Sequence, residues 1–82
     1  MSPRLRRMSG GDAIDIFRRL GFEVVSQRGS HVKLVRTVES GERQILTIPN
    51  HKEMDSGTLQ SIVRQAGRYI DPLVLREHFY SS

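Results

Sequence analysis

The sequence predicts an α+β domain in which two helices cover one face of a three-stranded antiparallel sheet. Two stretches with apolar residues at helical spacing flank three short runs in which apolar and polar residues alternate. Short polar turns join the three runs, and consecutive hairpins give an antiparallel sheet. Both helices must bury an apolar face, and one side of the sheet can serve both.

The first helix is predicted from about Gly10 to Leu20. Ser9 is its expected N-cap, with Asp12 as the partner in a capping box, and Gly21 is expected to end it. Its apolar face is formed by residues three or four positions apart, with one neighbour adjoining them: Ala13, Ile16, Phe17 and Leu20.

Three strands are predicted to follow, over Phe22–Gln27, His31–Arg36 and Gln44–Ile48. Turns are expected at residues 28–30 and 39–42. Alternation predicts that four side chains of the first two strands face inward: Phe22, Val24, Val32 and Leu34. The adjacent Ile45 and Leu46 leave the inward face of the third strand open.

A second helix is predicted over Gly57–Ala66, capped by Asp55 or Ser56. Its apolar stripe is Leu59, Ile62, Val63 and Ala66. A short final helix should begin at Asp71-Pro72 within a C-terminal extension, residues 71–80, and carry Leu73, Leu75 and Phe79. Residues 1–8 are expected to form a loosely held basic arm.

Residues 1–82 are therefore expected to form a single domain with the order α-β-β-β-α, an arrangement of the double-stranded-RNA-binding-domain type. One core should unite six residues from the helices and the sheet: Phe17, Leu20, Val24, Leu34, Ile62 and Val63.

The 82 residues carry a net charge of +4, and all of the excess lies in residues 1–36. A basic face attracts polyanions, although such charges can also serve solubility alone. The absence of Cys excludes disulfides, thiolate metal sites and a Cys nucleophile, and is compatible with a cytoplasmic location. No apolar stretch is long enough to span a membrane, and the N-terminus does not have the pattern of a secretory signal.

The tripeptide Gly29-Ser30-His31 is the first candidate for chemistry. Gly29 permits a tight turn, and His31 opens the second strand. If Val32 and Leu34 face the helices, His31 and Lys33 point to open surface. RNA is cut without metal when a base takes the 2′-OH proton and an acid protonates the leaving 5′-oxygen, and imidazole suits both roles. The alternative is an exposed histidine without a function.

The cations around this position are expected to bind phosphate: Arg28, Lys33 and Arg36. His51, in the loop after Pro49, is the second candidate for proton transfer, or else a loop residue bonded to nearby backbone. Thr58, at the start of the second helix, can contact a phosphate or only complete the cap. The three His residues have no metal-site spacing, so neither a metal nor a cofactor is expected.

Together these pieces resemble the HicA family of toxins from type II toxin–antitoxin modules. The resemblance covers about residues 3–70 and is carried by segments in a fixed order: Ser9-Gly10, Ile14, Leu20-Gly21-Phe22, Gln27-Arg28-Gly29-Ser30-His31, Ile48-Pro49, His51, Gly57-Thr58-Leu59, Ile62 and Gln65-Ala66-Gly67.

The resemblance implies an mRNA interferase that cleaves without a metal. It makes the histidine of the Gly-Ser-His motif, here His31, the essential residue. It also implies a HicB antitoxin that covers this histidine. The residues expected to hold RNA are Arg28, Gly29, Ser30, Lys33, Arg36 and Thr58.

Two other functions fit the predicted fold. A non-catalytic double-stranded-RNA-binding module would need basic residues on the second helix, yet Gly57–Ala66 contains only Arg64. A protein-interaction module would use an exposed sheet edge, but it gives no reason for His31 at a turn.

Overall fold

The computed structural model describes residues 4–81 and has the predicted order α-β-β-β-α followed by a final short helix, with one further two-residue strand before and one after these elements. The elements are β1 (Arg4–Leu5), α1 (Gly10–Arg19), β2 (Glu23–Arg28), β3 (His31–Thr37), β4 (Arg43–Pro49), α2 (Ser56–Ala66), α3 (Pro72–Phe79) and β5 (Tyr80–Ser81). The boundaries of the helices and of the three main strands differ from the predicted ones by at most one residue at each end.

The main sheet has the order β2-β3-β4, and both pairs are antiparallel. The register of β3 and β4 separates two faces, since directly opposed residues share a face. Val32–Ile48, Leu34–Leu46 and Arg36–Gln44 lie on one face, and His31–Pro49, Lys33–Thr47 and Val35–Ile45 on the other. The first set is buried or half-buried, so we call its side the helix face and the other side the open face.

The helices begin where the sequence predicts because local side chains satisfy their first N–H groups. Ser9 Oγ accepts from the Asp12 N–H at 3.0 Å, and the Ser9 N–H donates to Asp12 Oδ2 at 3.1 Å, which completes the capping box. Asp55 caps α2 and Asp71 caps α3.

One core unites the helices with the helix face of the sheet. Phe17 of α1 lies at its centre, 5.9 Å from the ring of Phe22 and 5.2 Å from that of Phe79, measured between centroids. Helix α3 thus contributes to the same core as α1 and the sheet. The other fully buried large side chains are Leu34, Leu46, Ile48 and Leu59.

The prediction that Val24 belongs to this core is wrong. Val24 is 46% exposed. The pairing of β2 with β3 shifts between Val24 and Ser26, and this bulge leaves Val25 without a partner in β3 and interrupts the alternation on which the prediction rested. Leu20 and Val63 pack against the core but are only partly buried, whereas Phe17, Leu34 and Ile62 are buried as predicted.

The N-terminal arm is not wholly loose, which corrects the prediction for residues 1–8. Arg4 and Leu5 form β1, which pairs with β5 at the other end of the chain, and the Arg6 N–H donates to the Phe79 carbonyl at 2.8 Å. Residues 1–3 of the predicted arm lie outside the described residues. Leu73 in α3 is exposed, while Leu75 and Phe79 are buried.

Within residues 4–81, none of the helices has the length and apolar character needed to cross a bilayer.

Candidate active site

A two-residue turn places His31 at the first position of β3. Gly29 has a φ of 60°, a backbone conformation that side chains with a Cβ rarely adopt, and no atom would lie within 4 Å of a Cβ at this position. The Gln27 side-chain amide donates to the Gly29 carbonyl at 3.0 Å and closes the turn from one side. Glycine is therefore required here by the turn and not by crowding.

His31 lies on the open face of the sheet between an arginine and a proline. It is paired with Arg28 of β2 on one side and with Pro49 of β4 on the other, and it is exposed. Lys33, two residues along β3, is also exposed on this face. The imidazole and two cations therefore share one accessible surface, as the alternation of β3 predicts.

Polar side chains extend this surface on both sides of Lys33. Ser26 of β2 and Thr47 of β4 are its two neighbours across the strands, and both are exposed. Nothing in the sequence indicates that they lie beside Lys33, because this depends on the bulge in β2 and on the register of β4.

The segment Pro49–His51 closes the site at the end of the sheet. The Asn50 N–H donates to the Ser30 carbonyl at 2.6 Å, and the His51 carbonyl accepts from the Gly10 N–H at 2.8 Å. His51 itself is exposed and follows the strand residue that pairs with His31 by two positions. Nothing in the sequence relates Asn50 to Ser30, so its hydrogen bond beside His31 could not be predicted.

Thr58 is engaged in the cap of α2. Its backbone N–H donates to Asp55 Oδ1 at 2.7 Å and its hydroxyl donates to Asp55 Oδ2 at 3.1 Å. The Thr58 N–H, and then its hydroxyl, are the main causes that lower the pKa of the Asp55 carboxyl from its usual value. The start of α2 is thus occupied by a carboxylate of the chain itself.

Arg36 does not lie with the other cations, which corrects the prediction that it binds phosphate. It shares the helix face with Val32 and Leu34, and it is half-buried. Its guanidinium donates to the Leu20 carbonyl at 2.8 Å and to the Tyr69 carbonyl at 3.2 Å. These donors are used inside the fold, so Arg36 is removed from the candidate RNA surface.

In the described part of the chain, no three His, Asp or Glu side chains come together in a way that could hold a metal ion. The open face carries an imidazole, two cations and two hydroxyls.

These features define a class: a small α+β domain of the double-stranded-RNA-binding type that carries an exposed histidine and cations on the open face of its sheet. Residues 10–67 match the family model described as the HicA toxin of bacterial toxin–antitoxin systems. The chain belongs to the HicA toxin family. Comparison with curated proteins and with solved structures gave no match. Family membership indicates a ribonuclease toxin, with RNA as its substrate and an antitoxin as its partner.

Proposed function

We propose that this protein is an mRNA interferase, an endoribonuclease that cleaves mRNA in the cytoplasm with His31 as its catalytic residue. The observation that carries the proposal is the position of His31 in a chain of this family: exposed on the open face, beside Arg28 and two residues from Lys33. Two cations on the same face as an accessible imidazole favour a bound phosphate at the point where a proton must move.

The proposed reaction is an internal transfer that needs no metal. His31 accepts the proton of the 2′-OH while the 2′-oxygen attacks the adjacent phosphorus. The bond from phosphorus to the 5′-oxygen breaks, and an acid delivers a proton to that oxygen. The products are a 2′,3′-cyclic phosphate and a 5′-hydroxyl. His51 is our candidate for the second proton, because it lies in the segment that continues from the pairing partner of His31.

The remaining residues of the proposed site hold the RNA. Arg28 and Lys33 bind phosphate and stabilise the negative charge that grows in the transition state. Gly29 and Ser30 form the turn over which the bound RNA would pass. Thr58 is retained as a contact only through its hydroxyl oxygen, since its proton is donated to Asp55.

The proposed partner is a HicB-like antitoxin that covers His31. Blocking an exposed site is the simplest way to neutralise a small enzyme, and His31 and Lys33 are both accessible on one face. Hydrogen exchange of the complex should protect the first residues of β3. Protection confined to α3 would contradict this mode of neutralisation.

The experiment that tests the function compares His31→Ala with the wild type on a defined RNA. General acid–base catalysis contributes about 10²–10⁴-fold in rate, so the variant should lose at least about 10²-fold. RNA affinity should persist, because phosphate charge dominates binding. His78→Ala, which removes a histidine from α3, is the matched control and should cleave normally.

Two results would refute the proposal: near-normal cleavage by folded His31→Ala protein, or efficient cleavage at a 2′-deoxy position. Wild-type protein that binds RNA but never cuts it would instead favour the non-catalytic RNA-binding module. The same assay with His51→Ala decides whether this residue supplies the second proton.

A further inference from the structure

Gly10 is the point at which helix α1 touches the backbone next to the candidate site. Gly10 is buried, and a Cβ at this position would lie 2.1 Å from the Pro49 carbonyl oxygen, 2.7 Å from Asn50 Cα and 2.8 Å from the His51 nitrogen. All three are main-chain atoms, which cannot turn aside as a flexible side chain can. Any residue except glycine would therefore push segment Pro49–His51 away from α1.

Backbone conformation does not account for a glycine at this position. The glycines with positive φ in the described chain are Gly21, Gly29 and Gly41. A glycine inside a helix also lowers helix stability relative to alanine. Gly10 instead permits close approach, and the atoms that approach it belong to segment Pro49–His51, which is bound to the start of β3.

Two hydrogen bonds and one strand pairing carry this contact to His31. The Gly10 N–H donates to the His51 carbonyl, and the Asn50 N–H donates to the Ser30 carbonyl directly before His31. Pro49 is the β4 partner of His31. Three backbone segments are thus in direct contact: the start of α1, segment Pro49–His51 and the start of β3.

We propose that Gly10 is a positioning residue for cleavage: its missing side chain sets the separation between α1 and segment Pro49–His51 and so fixes His31 relative to bound RNA. This inference rests on the proposed function of His31. To admit a methyl group, the Pro49 carbonyl must move by about 1 Å or more. A misplacement of about 1 Å from a distant change can reduce a rate by about 10²-fold.

The chain offers a matched control in the neighbouring glycine. A Cβ at Gly11 would meet only Asn50 Oδ1 and Ser9 Oγ, each at 3.7 Å, which is ordinary contact. Gly10→Ala and Gly11→Ala are therefore the same substitution in the same turn of α1, with and without a backbone clash. Cleavage of a defined RNA oligonucleotide should be followed for both, with kcat and KM measured separately and folding verified by circular dichroism.

Gly10→Ala should lower kcat by about 10²-fold while KM and RNA affinity change little, and Gly11→Ala should match the wild type. The NMR signals of the His31 ring should shift in Gly10→Ala and stay in place in Gly11→Ala. Wild-type kcat in Gly10→Ala would overturn the proposal, and so would an equal loss in both variants. Inactive wild-type protein would refute the ribonuclease function, while the ring signals would still test the positioning.

If Gly10→Ala does not fold, amide hydrogen exchange in the wild type decides the question. The proposal expects the amides of Gly10 and Asn50 to be protected together with those of β3, because each donates a hydrogen bond to a carbonyl of the neighbouring segment. An Asn50 amide that exchanges as fast as a free loop amide would overturn the proposal.

Discussion

Arg36 donates from Nε to the side-chain oxygen of Gln44 at 2.8 Å, inside the fold on the helix face of the sheet. The same guanidinium lies 4.7 Å from the centroid of the Phe22 ring. With its bonds to Leu20 and Tyr69, this side chain joins β4, the end of α1 and the turn after α2. Arg36 thus joins these elements on the helix face, while Lys33 of the same strand is exposed on the open face.

Replacing Arg36 by Ala should therefore destabilise the protein without changing its RNA surface. Hydrogen bonds to charged groups contribute about 1.5–3 kcal/mol each, and the buried Gln44 would lose its partner, so we expect a loss of about 2 kcal/mol or more. Urea unfolding measures it, and Arg36→Lys, which keeps the charge but not the planar fork, should recover little. A change within about 0.5 kcal/mol, as at ordinary surface positions, would contradict this role.

Lys33→Ala should have the opposite effect, with weaker RNA binding and an unchanged fold. Each phosphate that a cation neutralises on single-stranded RNA contributes about 0.7 to the slope of log affinity against log salt. The slope should flatten by about this amount when binding is measured in His31→Ala protein, which does not cut the ligand. Arg76→Ala on α3 is the control. An unchanged slope would remove Lys33 from the site.

Cleavage should continue in an excess of chelator. Among residues 4–81 no group of His, Asp or Glu is arranged to hold a metal ion, and the base and the acid of the proposed reaction are side chains of the protein. The rate should be equal before and after dialysis against chelator. Loss of activity that a divalent ion restores would replace the proposed mechanism with a metal-assisted one.

Acid should weaken the cap of α2. Because the Thr58 N–H holds the pKa of Asp55 below its usual value of 3.8, the carboxylate stabilises the fold above that pH, and this contribution is lost as pH falls through the lowered pKa. Between about pH 5 and about pH 2, wild-type protein should lose more stability than Asp55→Asn, which keeps a capping oxygen that does not titrate. Thermal melts across this range provide the test, and parallel pH profiles would contradict it.

Local signals predicted the helices well. Ser9 with Asp12, and Asp71 before Pro72, act within one turn of the chain, so the sequence alone is enough to locate them. Alternation predicted that His31 and Lys33 share the open face. The same alternation puts Arg36 with Val32 and Leu34 on the helix face. The prediction that Arg36 binds phosphate was wrong because it relied on the closeness of Arg36 to His31 in the sequence.

Contacts between distant segments could not be predicted. The bulge at Val25 depends on how β2 pairs with β3, and no residue in β2 marks it. The bond from Asn50 to Ser30 and the close approach of Gly10 to Pro49 join parts of the chain that are far apart in sequence. The strand β1 is two residues long and forms only because β5 lies beside it.

The pairing of Arg4 with Ser81 brings the two ends of the described chain side by side, so the path from residue 4 to residue 81 returns to its starting point. A short linker could join these ends, and new ends could be opened near Gly41, where a Cβ would meet open space. Such a circular permutant should keep the same neighbours for each helix and strand, since only the residue at which the chain begins would differ.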